Sequence, residues 1–121
     1  MSDIAGDDLP DDADGDALRR LLAANSDLSR EMEIDFFIAI DDETSANEFA
    51  KAAESHGFES KVSRYEELEK AWTCYCTKTM IPSYESIVGV QDFLAELGRP
   101  WNAEPDGWGS FGNAPEPNER A

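Results

Sequence analysis

One stretch of this chain constrains its fold more than any other. Between Met32 and Ile40, the residues Met32, Ile34, Phe36, Ile38 and Ile40 alternate with Glu33, Asp35, Phe37 and Ala39. A period of two belongs to a strand with one buried face and one wetter face. The exception is Phe37, an aromatic ring placed among acids on the wetter face. The apolar row needs a covering layer, and the segments on either side of the strand supply helices.

A leading helix is expected from about Asp14 to Ala24, where Leu18, Leu21 and Leu22 recur at helical spacing. Asp14 and Asp16 sit where a helix N-terminus favours negative charge, and Asn25-Ser26-Asp27 ends the helix. After the strand, Ser45 and Glu48 form an S-x-x-E capping pattern and Gly57 supplies the stop. Ala46, Phe49, Ala50 and Ala53 make the narrow stripe of this second helix. His56, the single histidine, falls in its last turn and reads as structural, since partial positive charge is favourable there.

Phe58 to Tyr65 reads as a second strand, and Glu66 to Lys70 as a polar connection. Ala71 to Met80 is a third strand, with Trp72, Cys74 and Cys76 on one face and Thr73, Tyr75, Thr77 and Thr79 on the other. Pro82 and Ser83 open a third helix that Gly98 closes, with Ile87, Val90, Leu94 and Leu97 as its buried stripe. Gly89, inside that helix, costs about 1 kcal/mol relative to alanine and is taken to mark close helix–sheet contact. Pro100 to Phe111 gives a short final strand running into an Asp-Gly turn. After the leading helix the order is β-α-β-β-α-β. This is the ferredoxin-like pattern of an α+β domain: an antiparallel four-stranded sheet, two helices on one face, the other face uncovered, and an extra N-terminal helix.

With 121 residues there is room for one domain. Residues 1–13 are Asp-rich and read as a disordered acidic arm, 14–111 as the domain, and 112–121 as a loose tail. The net charge of −17, from 27 acidic and 10 basic residues, repels phosphate backbones and anionic lipid. Direct nucleic-acid binding and membrane binding are therefore not expected, whereas basic proteins are attracted. Acidity also serves solubility alone, or life in high salt. The opening residues lack a basic and apolar leader pattern, and no apolar run reaches the roughly 20 residues of a membrane span, so a cytoplasmic protein is expected.

No catalytic constellation emerges. The sequence has no Gly-rich phosphate loop and no H-E-x-x-H pattern, and one histidine cannot build a histidine-rich metal centre. The loop after the first strand, Asp41-Asp42-Glu43, would repel a phosphate. Cys74 and Cys76 share a strand face and read as reduced core residues, because a disulfide between them would strain the strand. No enzyme activity, cofactor or metal is expected. The uncovered sheet face is the candidate protein-binding surface: Glu33, Asp35, Phe37 and Tyr75 lie on it, without the basic funnel that RNA needs. Two other uses of this face stand beside that one: cover by the leading helix, or by a second copy of the chain in a homodimer.

The final strand holds the most specific run, Asp106-Gly107-Trp108-Gly109. Together with the strand Ile34-Asp35-Phe36-Phe37, the helix ending at His56-Gly57-Phe58, the strand around Trp72 to Met80 and the helix from Tyr84 to Gly98, it resembles the RraB family, the regulator of ribonuclease E activity B. The resemblance spans about residues 16–111. It implies a ferredoxin-like fold without catalytic activity, and a protein inhibitor that binds ribonuclease E and modulates RNA decay. The arginine-rich RNA-binding segments of that enzyme would then be the basic partner. The best-known members carry a long acidic C-terminal tail; here the Asp-rich run is N-terminal. Asp106 and Trp108 join the candidate protein-binding set. For Trp108 a structural role, plugging the sheet or helix edge at a positive-φ turn, stands beside partner contact. The alternative function is a self-associating ferredoxin-like interaction domain of unrelated role.

Overall fold

A computed structural model describes residues 9–64 and 72–113. The elements run α1 (Ala13–Ala23), β1 (Met32–Ile40), α2 (Glu43–Ser55), β2 (Glu59–Arg64), β3 (Trp72–Met80), α3 (Tyr84–Leu97), a single 3-10 turn at Arg99–Trp101, and β4 (Glu104–Gly109). The four strands form one antiparallel sheet in the order β2-β3-β1-β4. This α+β arrangement has the strand order of the ferredoxin-like pattern, with α1 added in front. The expected connection at Glu66 to Lys70 lies outside the described residues, as does most of the acidic arm and of the C-terminal tail.

β1 is central, and its alternation does what the sequence requires. Met32, Ile34, Phe36, Ile38 and Ile40 are all buried, while Glu33 is exposed and Asp35, Phe37 and Ala39 are half-buried. The apolar row faces Ala46, Phe49, Ala50 and Ala53 of α2 and Ile87 and Leu94 of α3. Each large aliphatic or aromatic side chain buried there contributes about 1.5–3 kcal/mol. Cys74 and Cys76 fill the neighbouring row of β3, fully buried, with their sulfurs 3.8 Å apart and unoxidised. The hydrogen bond shared with Cys74, then burial, push the Cys76 thiol up.

Three local expectations are corrected. The second helix is capped three residues earlier than the S-x-x-E pattern suggests. Asp42 is the N-cap and accepts from the Ser45 amide at 2.8 Å. A carboxylate is an equally good cap, and it frees Glu48 to accept from the Trp101 indole at 2.9 Å. Gly89 does not mark a close contact, since a Cβ built on it would meet nothing within 4 Å. Asp106-Gly107 is not a terminal turn. It sits inside β4, where the pairing with β1 slips between Phe36 and Ile38, and the positive φ of Gly107 (113°) forms part of that bulge.

The chain before and after the sheet is tied down by specific bonds. Leu9 is buried, and the Arg19 guanidinium donates to the carbonyls of Leu9 and Pro10 at 3.1 Å each. Asp12 caps α1 by accepting from the Gly15 amide, and also accepts from the Tyr84 hydroxyl. After α1, Asn25 takes the left-handed conformation (φ 70°) that asparagine tolerates well. Beyond β4, the Asn113 side chain accepts from the Asp27 amide and donates to the carbonyls of Asp27 and Glu31. That clasp fixes the entry to β1.

Candidate protein-binding face

Strand alternation sorts the sheet residues onto two faces, and the register fixes which side chains stand together. On the face away from α2 and α3, β1 contributes Glu33, Asp35, Phe37 and Ala39. Opposite them on β3 stand Thr79, Thr77, Tyr75 and Thr73. β2 adds Glu59, Lys61 and Ser63 beside Thr77, Tyr75 and Thr73, and β4 adds Glu104 beside Ala39. Phe37 and Tyr75 are therefore direct cross-strand neighbours. Their rings meet edge to face, with centroids 5.4 Å apart.

The glycines of β4 explain why an aromatic belongs at Phe37. A Cβ on Gly109 would come within 3.3 Å of the Phe37 ring, and one on Gly107 within 3.9 Å. The ring thus lies across the bare backbone of β4 and covers it. The ring remains half-buried, so one side is still open to a partner. Asp35 is held in place by the Thr77 hydroxyl, which donates to its carboxylate. Among the described residues, the carboxylates of Glu33, Asp35, Glu59 and Glu104 share this face with one ammonium, Lys61. Exposed Asp106 lies in the β4 bulge, between the Phe36–Trp108 and Ile38–Pro105 pairs, on the edge strand of the sheet.

α1 does not cover this face. It packs against α3 on the helix side, held there by Trp108. The Trp108 indole faces the core side of β4, opposite Phe36, and donates to Asp14 at 2.9 Å. Asp14 also accepts from the Gln91 side-chain amide at 3.2 Å through both oxygens. One carboxylate in the first turn of α1 thus links three elements. Of the six residues singled out from the sequence, four share the open face, Asp106 lies at its edge, and Trp108 stands on the other side of the sheet.

Sequence reasoning did not single out Glu59, Lys61 or Glu104. They join the face only through the pairing of β2 with β3 and β4 with β1, and no short-range signal in the sequence sets that pairing. Among the described residues no group of three or more His, Cys, Asp or Glu side chains is placed to hold a metal ion. Nor is any described helix long and apolar enough to cross a membrane.

The alternating β1, the split β-α-β order and the D-G-W-G bulge meet in one comparison. A family model described as regulator of ribonuclease activity B matches residues 11–110. The chain belongs to the RraB family. The match takes in every helix and strand of the described fold, from α1 to β4. A search of curated proteins finds no match. An RraB chain belongs to a family named for controlling a ribonuclease, so a surface for protein recognition is the feature to seek. The acidic, aromatic sheet face is the candidate.

Proposed function

We propose that this RraB chain is a non-catalytic, cytoplasmic inhibitor that holds an arginine-rich segment of a ribonuclease of the ribonuclease E kind against its open sheet face. The observation that carries this reading is the Phe37–Tyr75 ring pair framed by Glu33, Asp35, Glu59 and Glu104. Guanidinium groups stack on aromatic faces and pair with carboxylates in two-pronged hydrogen bonds. A face offering both, on a chain of net charge −17, favours arginine-rich protein and disfavours RNA. The RNA-binding segment of a ribonuclease is basic for its own substrate. An acidic protein seated there competes with that substrate, and regulation follows without chemistry by the regulator.

The test is a competition. The full chain is titrated into a complex of the ribonuclease with labelled RNA, at low and moderate salt. Displacement of RNA that weakens as salt rises supports the reading, because exposed charge pairs are screened. Failure to displace RNA at either salt, with a dimer seen by light scattering, favours the self-associating domain instead. The like charge of two copies argues against that outcome.

A further inference from the structure

On the helix side of the sheet, away from the acidic face, lies a cleft of about 470 Å³ lined by His56, Phe58, Lys78, Ser86, Gly89, Val90 and Phe93. That volume falls within the roughly 300–1,000 Å³ range of small-molecule sites. Two rings form its wall. Phe58 is buried, and Phe93 stacks nearly parallel to it (17°) with centroids 6.2 Å apart. His56 meets Phe93 edge-on at 5.0 Å. Phe93 is nonetheless 40% exposed, leaving its ring available at the mouth of the cleft.

Two further observations point to a ligand. Gly89 is a mid-helix glycine with normal helical φ, and a Cβ there would meet nothing within 4 Å. Neither backbone nor packing requires glycine, which weakens the helix by about 1 kcal/mol relative to alanine. Its effect is to leave the cleft open. The second observation is Lys78. It lies on the helix face of β3 opposite Ile34, half-buried, with its ammonium 5.1 Å from the Phe58 ring centroid. Among the described residues it pairs with no carboxylate, although the chain has 27 acids. The Ser86 hydroxyl is already spent on the carbonyls of Ile81 and Ser83. Lys78 is thus the charged donor the cleft offers.

We propose that this cleft binds a small aromatic carboxylate, its ring against Phe58 and Phe93 in the space over Gly89 and its carboxylate on the Lys78 ammonium. The site is separate from the protein-binding face, and the proposal stands whether or not the ribonuclease reading holds. A ligand here would rest against both α3 and β3.

The test uses the full chain and three probes of one shape: 1-naphthoate, 1-naphthalenemethanol and 1-naphthylmethylamine. Binding is followed by backbone amide NMR shifts. Naphthoate is expected to bind most tightly, the alcohol more weakly and the amine least, with shifts centred on His56, Phe58, Lys78, Gly89 and Phe93. Lys78→Met should weaken naphthoate about tenfold and leave the alcohol unchanged, the size expected for losing a hydrogen bond to a charged group. Gly89→Leu fills the cleft and improves helix propensity, so it should abolish binding of all three while raising thermal stability. Equal affinity for the three probes, shifts centred elsewhere, or naphthoate binding that survives Gly89→Leu would each overturn the proposal.

Discussion

Asp14 is the most exacting point at which to test how the helix layer is assembled. Its carboxylate accepts from the Trp108 indole at 2.9 Å and from Gln91 at 3.2 Å, so α1, α3 and β4 meet on one side chain. Asp14→Ala removes the acceptor and leaves two part-buried donors unpaired. A hydrogen bond to a charged group contributes about 1.5–3 kcal/mol, and a half-exposed site takes the lower end. The expected loss is about 2 kcal/mol, or roughly 10 °C in Tm for a domain of this size. Asp16→Ala is the control, because it makes the same charge change in the same helical turn. Asp16 has only its exposed pairing with Arg19, so the loss should be under about 0.5 kcal/mol. Urea unfolding of Asp14→Ala, Trp108→Phe and the double variant then gives the coupling, expected near 1 kcal/mol. The reasoning is refuted if Asp14→Ala is as mild as Asp16→Ala, or if the double variant is simply additive.

Three other outcomes follow from particular contacts. Gly107→Ala places a side chain at φ 113° in the β4 bulge and should cost about 1–3 kcal/mol by urea unfolding, whereas Gly89→Ala, at ordinary helical φ, should stabilise. The Tyr84 hydroxyl, then the Gly15 amide, hold the Asp12 carboxyl below its ordinary value of 3.8. A depressed carboxyl stabilises the fold above its unfolded value, and that contribution is lost as pH falls through the folded value. The stability difference between wild type and Tyr84→Phe should therefore be full near neutral pH and shrink on acidification below about pH 4; a difference that grows instead would contradict the contact. Cys74 and Cys76 are fully buried, so a maleimide should label them only at the rate of unfolding; rapid labelling of the native chain would mean the β3 row is not packed as described.

What the sequence made legible, it did so through period and order. The β1 alternation predicted which residues are buried, and the element order predicted the antiparallel sheet, whose second face no described helix covers. The Phe37 exception marked, before any coordinates, the face on which the ring pair with Tyr75 stands. The misreadings share a cause: each depends on what lies across space from the residue. Glu48 has the spacing of a cap, but Trp101 claims it. Gly89 has the look of a close contact, but faces empty space. Trp108 and Phe37 both stand in the candidate protein-binding set, Trp108 with a structural role beside partner contact. The pairing of Phe36 with Trp108 sends the indole to the core side and leaves Phe37 outside. Glu59, Lys61 and Glu104 could not be assigned to a face until the strands were paired.

The central claim is that the ring pair and its carboxylates form the surface that engages a basic segment of the ribonuclease. The most direct measurement is fluorescence anisotropy of a labelled arginine-rich ribonuclease segment titrated with wild type, with Tyr75→Ala and with the pair Glu33→Gln and Asp35→Asn. Melting temperature is followed in parallel. The account predicts about tenfold weaker binding for each face variant, with Tm changed by no more than a few degrees. Undiminished affinity in both face variants, or equal weakening by neutralising acids on α2 such as Glu43→Gln and Glu54→Gln, would contradict it.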